Sequence, residues 1–270
     1  MLSLARACAQ CAEGSELLYK LRTSPGEDDE ILGAKMSLTT LGPRIACIHA
    51  MQGSIGPTKR AFDAVWPEAE RHNILDDALS VDVQYTGLDA AMDRRFAELA
   101  QYARGCNASG ILFTCSAFGS CIEKVKSQNP DIPVLKPNEA MMEEAVKIGG
   151  RIGVLSVFEP TVSSIVHEMH ATALALGRDV DVEIVARFIP GALAVLQSGD
   201  EPAYNRMVGQ AAASLHREVN CSVLTLAMFS MACCAPEVAA SIPDVPVLTS
   251  PNSAVAKLKR LMHSRGAPCP

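Results

Sequence analysis

The stretch Arg44-Ile-Ala-Cys-Ile-His-Ala50 decides the fold, because Arg151-Ile-Gly-Val-Leu-Ser-Val157 repeats its pattern 107 residues later (44 to 151). Three further anchors follow. Asp131-Ile-Pro-Val-Leu135 returns as Asp244-Val-Pro-Val-Leu248, 113 residues on (131 to 244), and Pro137-Asn138 is echoed by Pro251-Asn252. Between them, Gly110-Ile-Leu-Phe-Thr-Cys115 is answered by Ser222-Val-Leu-Thr-Leu-Ala227, 112 residues on (110 to 222). A drift of a few residues is what loop insertions produce. The chain from Arg44 onward therefore holds two copies of one unit.

Each copy alternates short apolar runs with longer amphipathic ones. Val81-Asp-Val-Gln-Tyr85 and Val182-Glu-Ile-Val-Ala186 read as strands, being rich in β-branched residues. Ala90 to Arg104 places Ala91, Phe96, Leu99, Ala100 and Ala103 at helical spacing, and Tyr204 to Val219 does the same with Met207, Val208, Ala211 and Leu215. Short apolar strands separated by such helices imply βαβ units and parallel sheets covered on both faces. The expected architecture is α/β: two pseudo-symmetric Rossmann-like lobes, residues 44–150 and 151–262, each with a parallel sheet. Ligands bind beyond the carboxyl ends of such strands, so the site belongs in the crevice between the lobes.

Composition narrows the class of function. With 49% apolar and 20% charged residues the 270-residue chain can bury a sizeable core. A net charge of −6 argues against a nucleic-acid partner, whose phosphates demand a basic footprint. The longest nearly apolar run, Ser222 to Ala235, is too short to span a bilayer, so no membrane partner is expected. Residues 1–40 differ from the rest, with the acidic, turn-prone Ser24-Pro-Gly-Glu-Asp-Asp-Glu30, and read as a solvated extension. Arg6, Lys20 and Arg22 leave organelle targeting open there, against an otherwise cytoplasmic location. Cys8 and Cys11 form a CxxC pair without a second pair at zinc spacing, so no metal is expected. Most of the ten cysteines read as small buried hydrophobes.

The strand ends give the candidate residues. Cys115 follows the third strand and opens a helix with Phe118, Cys121, Ile122 and Val125 on its apolar face. A thiol at a helix N-terminus is expected to have a lowered pKa and to favour thiolate, while the free N–H groups can hold a carboxylate. Polar Thr114 and Ser116 flank it. His49, ending the first strand, is aimed at the same crevice and can act as acid or base near neutral pH. Ser54 lies in the following loop, Met51-Gln-Gly-Ser-Ile-Gly56. Gly53 and Gly56 lack the rest of a phosphate-binding fingerprint, so no nucleotide cofactor is expected. The second copy offers Ser156, Thr161 and, after its third strand, Ala227-Met-Phe-Ser230. Cys121 and Cys233 read as equivalent packing residues, and His167 with His170 as a solvated helix face.

A two-lobed repeat with Thr114-Cys115-Ser116 after the third strand resembles the aspartate/glutamate racemase superfamily, over about Arg44 to Met262. That superfamily includes glutamate, aspartate and hydantoin racemases, maleate isomerase, arylmalonate decarboxylase and a dimethylsulfoniopropionate lyase. The resemblance implies a small carboxylate substrate and no cofactor or metal. Relatives often dimerise, which leaves a homo-oligomer open. It also implies a thiol on each lobe, one removing the α-proton and the other returning a proton to the opposite face. Ser116 matches the residue that contacts the substrate carboxylate, and Thr161 sits where a family threonine lines the second lobe's carboxylate site. The second cysteine is expected at Ala227, where this chain has none.

With Cys115 as the only thiol, three chemistries stay open. His49 supplies the second proton of a racemase or isomerase. Alternatively, loss of CO₂ or of a leaving group makes the carbanion, as in a decarboxylase or lyase. In the third, Cys115 attacks covalently. In each, Ser116, Thr114, Thr161, Ser230 and backbone N–H groups are placed to stabilise developing charge. Phe229 and Met228 suggest an apolar contact for the substrate. A carboxylate-binding protein without catalysis is the reading from outside enzymology.

Overall fold

The computed structural model describes residues 42–265. The extension over residues 1–40, its targeting and the Cys8–Cys11 pair lie outside the described residues. The first copy runs through β1 (Arg44–His49), α1 (Ile55–Val65), β2 (Glu70–Leu75), α2 (Leu79–Thr86), α3 (Ala90–Gly105), β3 (Gly110–Phe113), α4 (Gly119–Gln128), β4 (Val134–Leu135) and α5 (Glu139–Ile148). The second runs through β5 (Gly150–Ser156), α6 (Pro160–Ala175), β6 (Val182–Phe188), α7 (Ala192–Gln197) and α8 (Glu201–Val219). It ends with β7 (Val223–Leu226), α9 (Ala235–Ser241), β8 (Val247–Thr249) and α10 (Ser250–Ser264). Among the described residues, no helix is long and apolar enough to cross a membrane.

The repeat is realised strand for strand. Each copy forms a four-stranded, all-parallel sheet, ordered β2-β1-β3-β4 and β6-β5-β7-β8. Central strands β3 and β7 are buried at every position, as unbroken apolar runs in covered parallel sheets must be.

One strand assignment is corrected. Val81–Tyr85 lies in helix α2, and the strand that pairs with β1 is Glu70–Leu75. Alternation of Val81, Val83 and Tyr85 imitates a strand, but Leu79 and Val83, one helical turn apart, face the core, whereas Tyr85 is 84% exposed. The true strand carries Arg71, His72 and Asn73 because it is an edge strand, half-open to water.

The lobe boundary also needs refinement, because the last helix of each copy packs on the other copy's sheet. Met142, Ala145 and Val146 of α5 share a core with Ile152 and Val154 of β5 and Val223 of β7. Ala254, Val255, Leu258 and Met262 of α10 share one with Ile45 and Cys47 of β1 and Leu112 of β3. The sequence boundary at residue 150 therefore separates repeats, not packing units.

Backbone hydrogen bonds fix which residues are equivalent. Thr114 N donates to Ile48 O and Ala227 N donates to Leu155 O, both at 3.1 Å. Ile48 and Leu155 hold the same place in β1 and β5, so Thr114 corresponds to Ala227 and Cys115 to Met228. Both Cys115 and Met228 are extended, with φ −122° and −133°, and each opens a 3₁₀ turn. The expected counterpart of Cys115, Ala227, is thus corrected by one residue. By the same register Cys121 pairs with Cys234 rather than Cys233, and both are fully buried.

Candidate active site

A cavity of about 340 Å³ opens where the carboxyl ends of the two sheets meet. Its lining includes Ser54, Thr114, Cys115, Ser116, Thr161, Phe229 and Ser230, seven of the eight expected site residues. Several of its walls are helix beginnings. Ser54 and Asn138 precede the first residues of α1 and α5, and Thr161 lies in the first turn of α6. None of these three helices has a side-chain cap, whereas α3, α8 and α10 are capped by Asp89, Asp200 and Thr249. The first N–H groups of a helix lack intrahelical partners and favour an anion. In α1, however, the Ile55 N–H donates to Gln52 O and Pro57 has none. In α6, Pro160 has none, while the Thr161 and Val162 N–H groups donate to Phe158 O and Glu159 O. Of the three, α5 is the beginning suited to an anion.

Cys115 is half-buried at the end of β3, with its thiol against a tight pocket of Phe96, Phe113 and Phe118. The expectation of a lowered pKa is corrected. Burial pushes the thiol above its ordinary 9.0, and the hydrogen bond from the Ala117 N–H offsets only part of this. Desolvation wins because Cys115 sits on a three-residue 3₁₀ turn (Ser116–Phe118) ahead of α4, so it does not cap an α-helix directly.

His49 is the expected site residue that does not line the cavity. It is completely buried, and its ring bridges the strands flanking β1: Nδ1 lies 3.0 Å from Thr114 Oγ1 and Nε2 lies 3.1 Å from Asn73 Oδ1. The tautomer that donates from Nε2 to the Asn73 carbonyl leaves Nδ1 as an acceptor for the Thr114 hydroxyl, which also lies 3.3 Å from Ile48 O. Burial also lowers its pKa below 6.5, so the ring is neutral at physiological pH. Its direct role as a proton carrier in the crevice is corrected to a contact through Thr114.

Hydroxyl groups divide by whether their proton is free. Thr161 Oγ1 donates to Phe158 O at 2.8 Å and lies 3.1 Å from Ser156 Oγ, so it presents lone pairs to the cavity. Ser54, Ser116 and Ser230 have hydroxyls without partners among the described residues, and their protons are available to a carboxylate. On the second side, Met228 Sδ stands 4.0 Å from Ser156 Oγ.

Sequence reasoning missed part of the lining. Asn138, 3% exposed, accepts a 2.7 Å hydrogen bond from Ser250 at the start of α10. Its echo in Pro251-Asn252 was the available signal. Ile165, Leu193, Leu196 and Gln197 come from α6 and α7, and extending the strand-end rule to β6 finds the last three. Among the described residues, no three His, Cys, Asp or Glu side chains stand together as metal ligands.

The sequence matches no family model and no curated protein. Its fold does match solved structures. A glutamate racemase from Francisella tularensis in complex with D-glutamate aligns over 85% of this chain and 84% of its own, at 16% identity and a TM-score of 0.59. An allantoin racemase from Klebsiella pneumoniae aligns over 83% and 89%, at 16% identity and a TM-score of 0.64. An aspartate racemase from Picrophilus torridus aligns over 85% and 96%, at 14% identity and a TM-score of 0.56. The fold is that of the aspartate and glutamate racemases.

Proposed function

We propose that this chain is a cofactor-independent enzyme of the racemase or isomerase type, moving a proton at the carbon next to the carboxylate of a small acid. Cys115 carries the proton. The observation behind this reading is Cys115 in the lining of the inter-lobe cavity, beside the free hydroxyls of Ser54 and Ser116 and the uncapped beginning of α5 at Asn138. A carboxylate held by those donors brings its α-carbon to the thiol. The same donors stabilise the enediolate that forms when the proton leaves, without which so weak a carbon acid could not react. His49 positions Thr114, and through it the loop that carries Cys115.

Met228 favours a second reading. It stands where the repeat would place an opposing thiol, and a thioether neither gives nor takes a proton. A single-thiol decarboxylase or lyase needs only one: loss of CO₂ or of a leaving group makes the carbanion, and Cys115 protonates one face. One experiment separates the readings. Enantiopure 2-substituted acids and their malonic and β-substituted analogues are incubated in D₂O. Racemisation with α-deuterium uptake supports the first reading, and release of CO₂ or alkene with a single product enantiomer supports the second. Turnover that persists unchanged in Cys115→Ala would sink both.

A further inference from the structure

The two sides of the cavity differ in their balance of polar and apolar groups. Ser54, Thr114, Ser116 and Asn138 bring polar groups from the first copy. Ile165, Leu193, Leu196, Met228 and Phe229 give the second copy most of the apolar lining, with the uncharged Thr161, Gln197 and Ser230 among them. This asymmetry is not inherited from the repeat, because α2, which follows the same strand in the first copy as α7 does in the second, contributes no lining residue. Among the described lining residues none is Asp, Glu, Lys, Arg or His.

We infer that the substrate is a monocarboxylate whose α-carbon bears an uncharged, apolar chain, and that Leu193, Leu196 and Phe229 select it. The inference rests on the proposed carboxylate site and adds what lies beyond it. With the carboxylate on the Ser54–Ser116 side, the rest of the molecule is directed at the apolar lining. A second carboxylate there would lose its water without gaining a counter-charge, and an α-ammonium would find no acid on either side. A hydrocarbon chain is transferred from water into an apolar setting, worth about fourfold in affinity per methylene buried. The cavity, about 340 Å³, lies near the low end of the ~300–1,000 Å³ usual for small-molecule sites.

Titration calorimetry with simple acids tests this on the full chain. From butanoate to hexanoate the dissociation constant is expected to fall about fourfold per methylene. Adipate, in which a carboxylate replaces the terminal methyl of hexanoate, is expected to bind about tenfold or more weakly than hexanoate, and leucine more weakly than 4-methylpentanoate. Equal binding within either pair overturns the inference, as does undetectable binding of hexanoate. Leu196→Lys places an ammonium in the apolar lining and is expected to close the gap between adipate and hexanoate, and an unchanged gap overturns the assignment of that lining. The D₂O assay is an independent readout. Its failure with this affinity order intact overturns the catalytic reading, and Cys115-dependent turnover confined to dicarboxylates overturns the substrate class.

Discussion

At Cys115 two effects oppose each other, and their balance gives a testable pH profile. Burial against Phe96, Phe113 and Phe118 disfavours thiolate, while the Ala117 N–H favours it, and the net result lies above 9.0. A base must first lose its proton, so racemisation by Cys115 is expected to rise in kcat/KM through pH 9 without levelling at neutral pH. An acid delivers a proton already present, so decarboxylation or elimination is expected to be flat across neutral pH and to fall only above the raised value. Cys115→Ser is expected to lower either rate by about 10²-fold or more, the usual contribution of a positioned acid or base. His49 carries a second prediction. Its folded pKa lies below the unfolded 6.5, so the unfolded chain binds more protons as pH falls past 6.5. The stability due to the neutral ring is full above that pH and declines below it. Thermal denaturation between pH 5 and 7 is expected to show this slope, and His49→Gln to flatten it. The place of both residues at strand ends was legible in the sequence. Their environments were not, because exposure of a thiol or an imidazole depends on residues as distant as Phe96 and Asn73.

Secondary elements were legible where period and burial agree. Helices α3 and α8 and strands β1, β3, β5 and β7 follow from apolar periodicity, since each is driven by a single buried face or a fully buried run. Edge positions broke the rule: β2 reads polar because water reaches it, and α2 reads as a strand because its five central residues happen to alternate. Exchange of the closing helices was likewise hidden, since the apolar stripe of α10 does not say which sheet it covers. Leu258 is fully buried against Ile45 and Leu112 of the first sheet, although it comes from the second copy. Leu258→Ala is expected to cost about 2–5 kcal/mol in denaturant unfolding, the range for a deleted core leucine. Amide exchange is expected to quicken in β1 and β3 more than in β5 and β7. The reverse order would mean that α10 serves its own copy's sheet.

For the molecule as a whole, the repeat creates two equivalent strand ends facing one cavity, and only one of them carries an acid or base. Equivalence rests on the paired bonds of Thr114 to Ile48 and Ala227 to Leu155, which put Met228 in the position that Cys115 holds in the first copy. A substrate between the lobes presents one face of its α-carbon to each. On the proposed reading proton traffic in the wild-type chain is confined to the Cys115 face, and deuterium is expected to enter an enantiopure acid faster than its configuration is lost. Met228→Cys supplies the missing group at a half-buried position, beside the hydroxyl of Ser156. Loss of configuration is expected to accelerate by about 10²-fold or more, the scale of a positioned acid or base, while deuterium uptake at the first face changes little. Chiral chromatography and mass spectrometry on the same time course read the two rates separately. The double variant Cys115→Ala with Met228→Cys moves the single thiol to the other lobe, and it is expected to reverse which enantiomer exchanges. Unchanged enantiomer preference in that variant would mean that the two strand ends do not face opposite sides of one substrate.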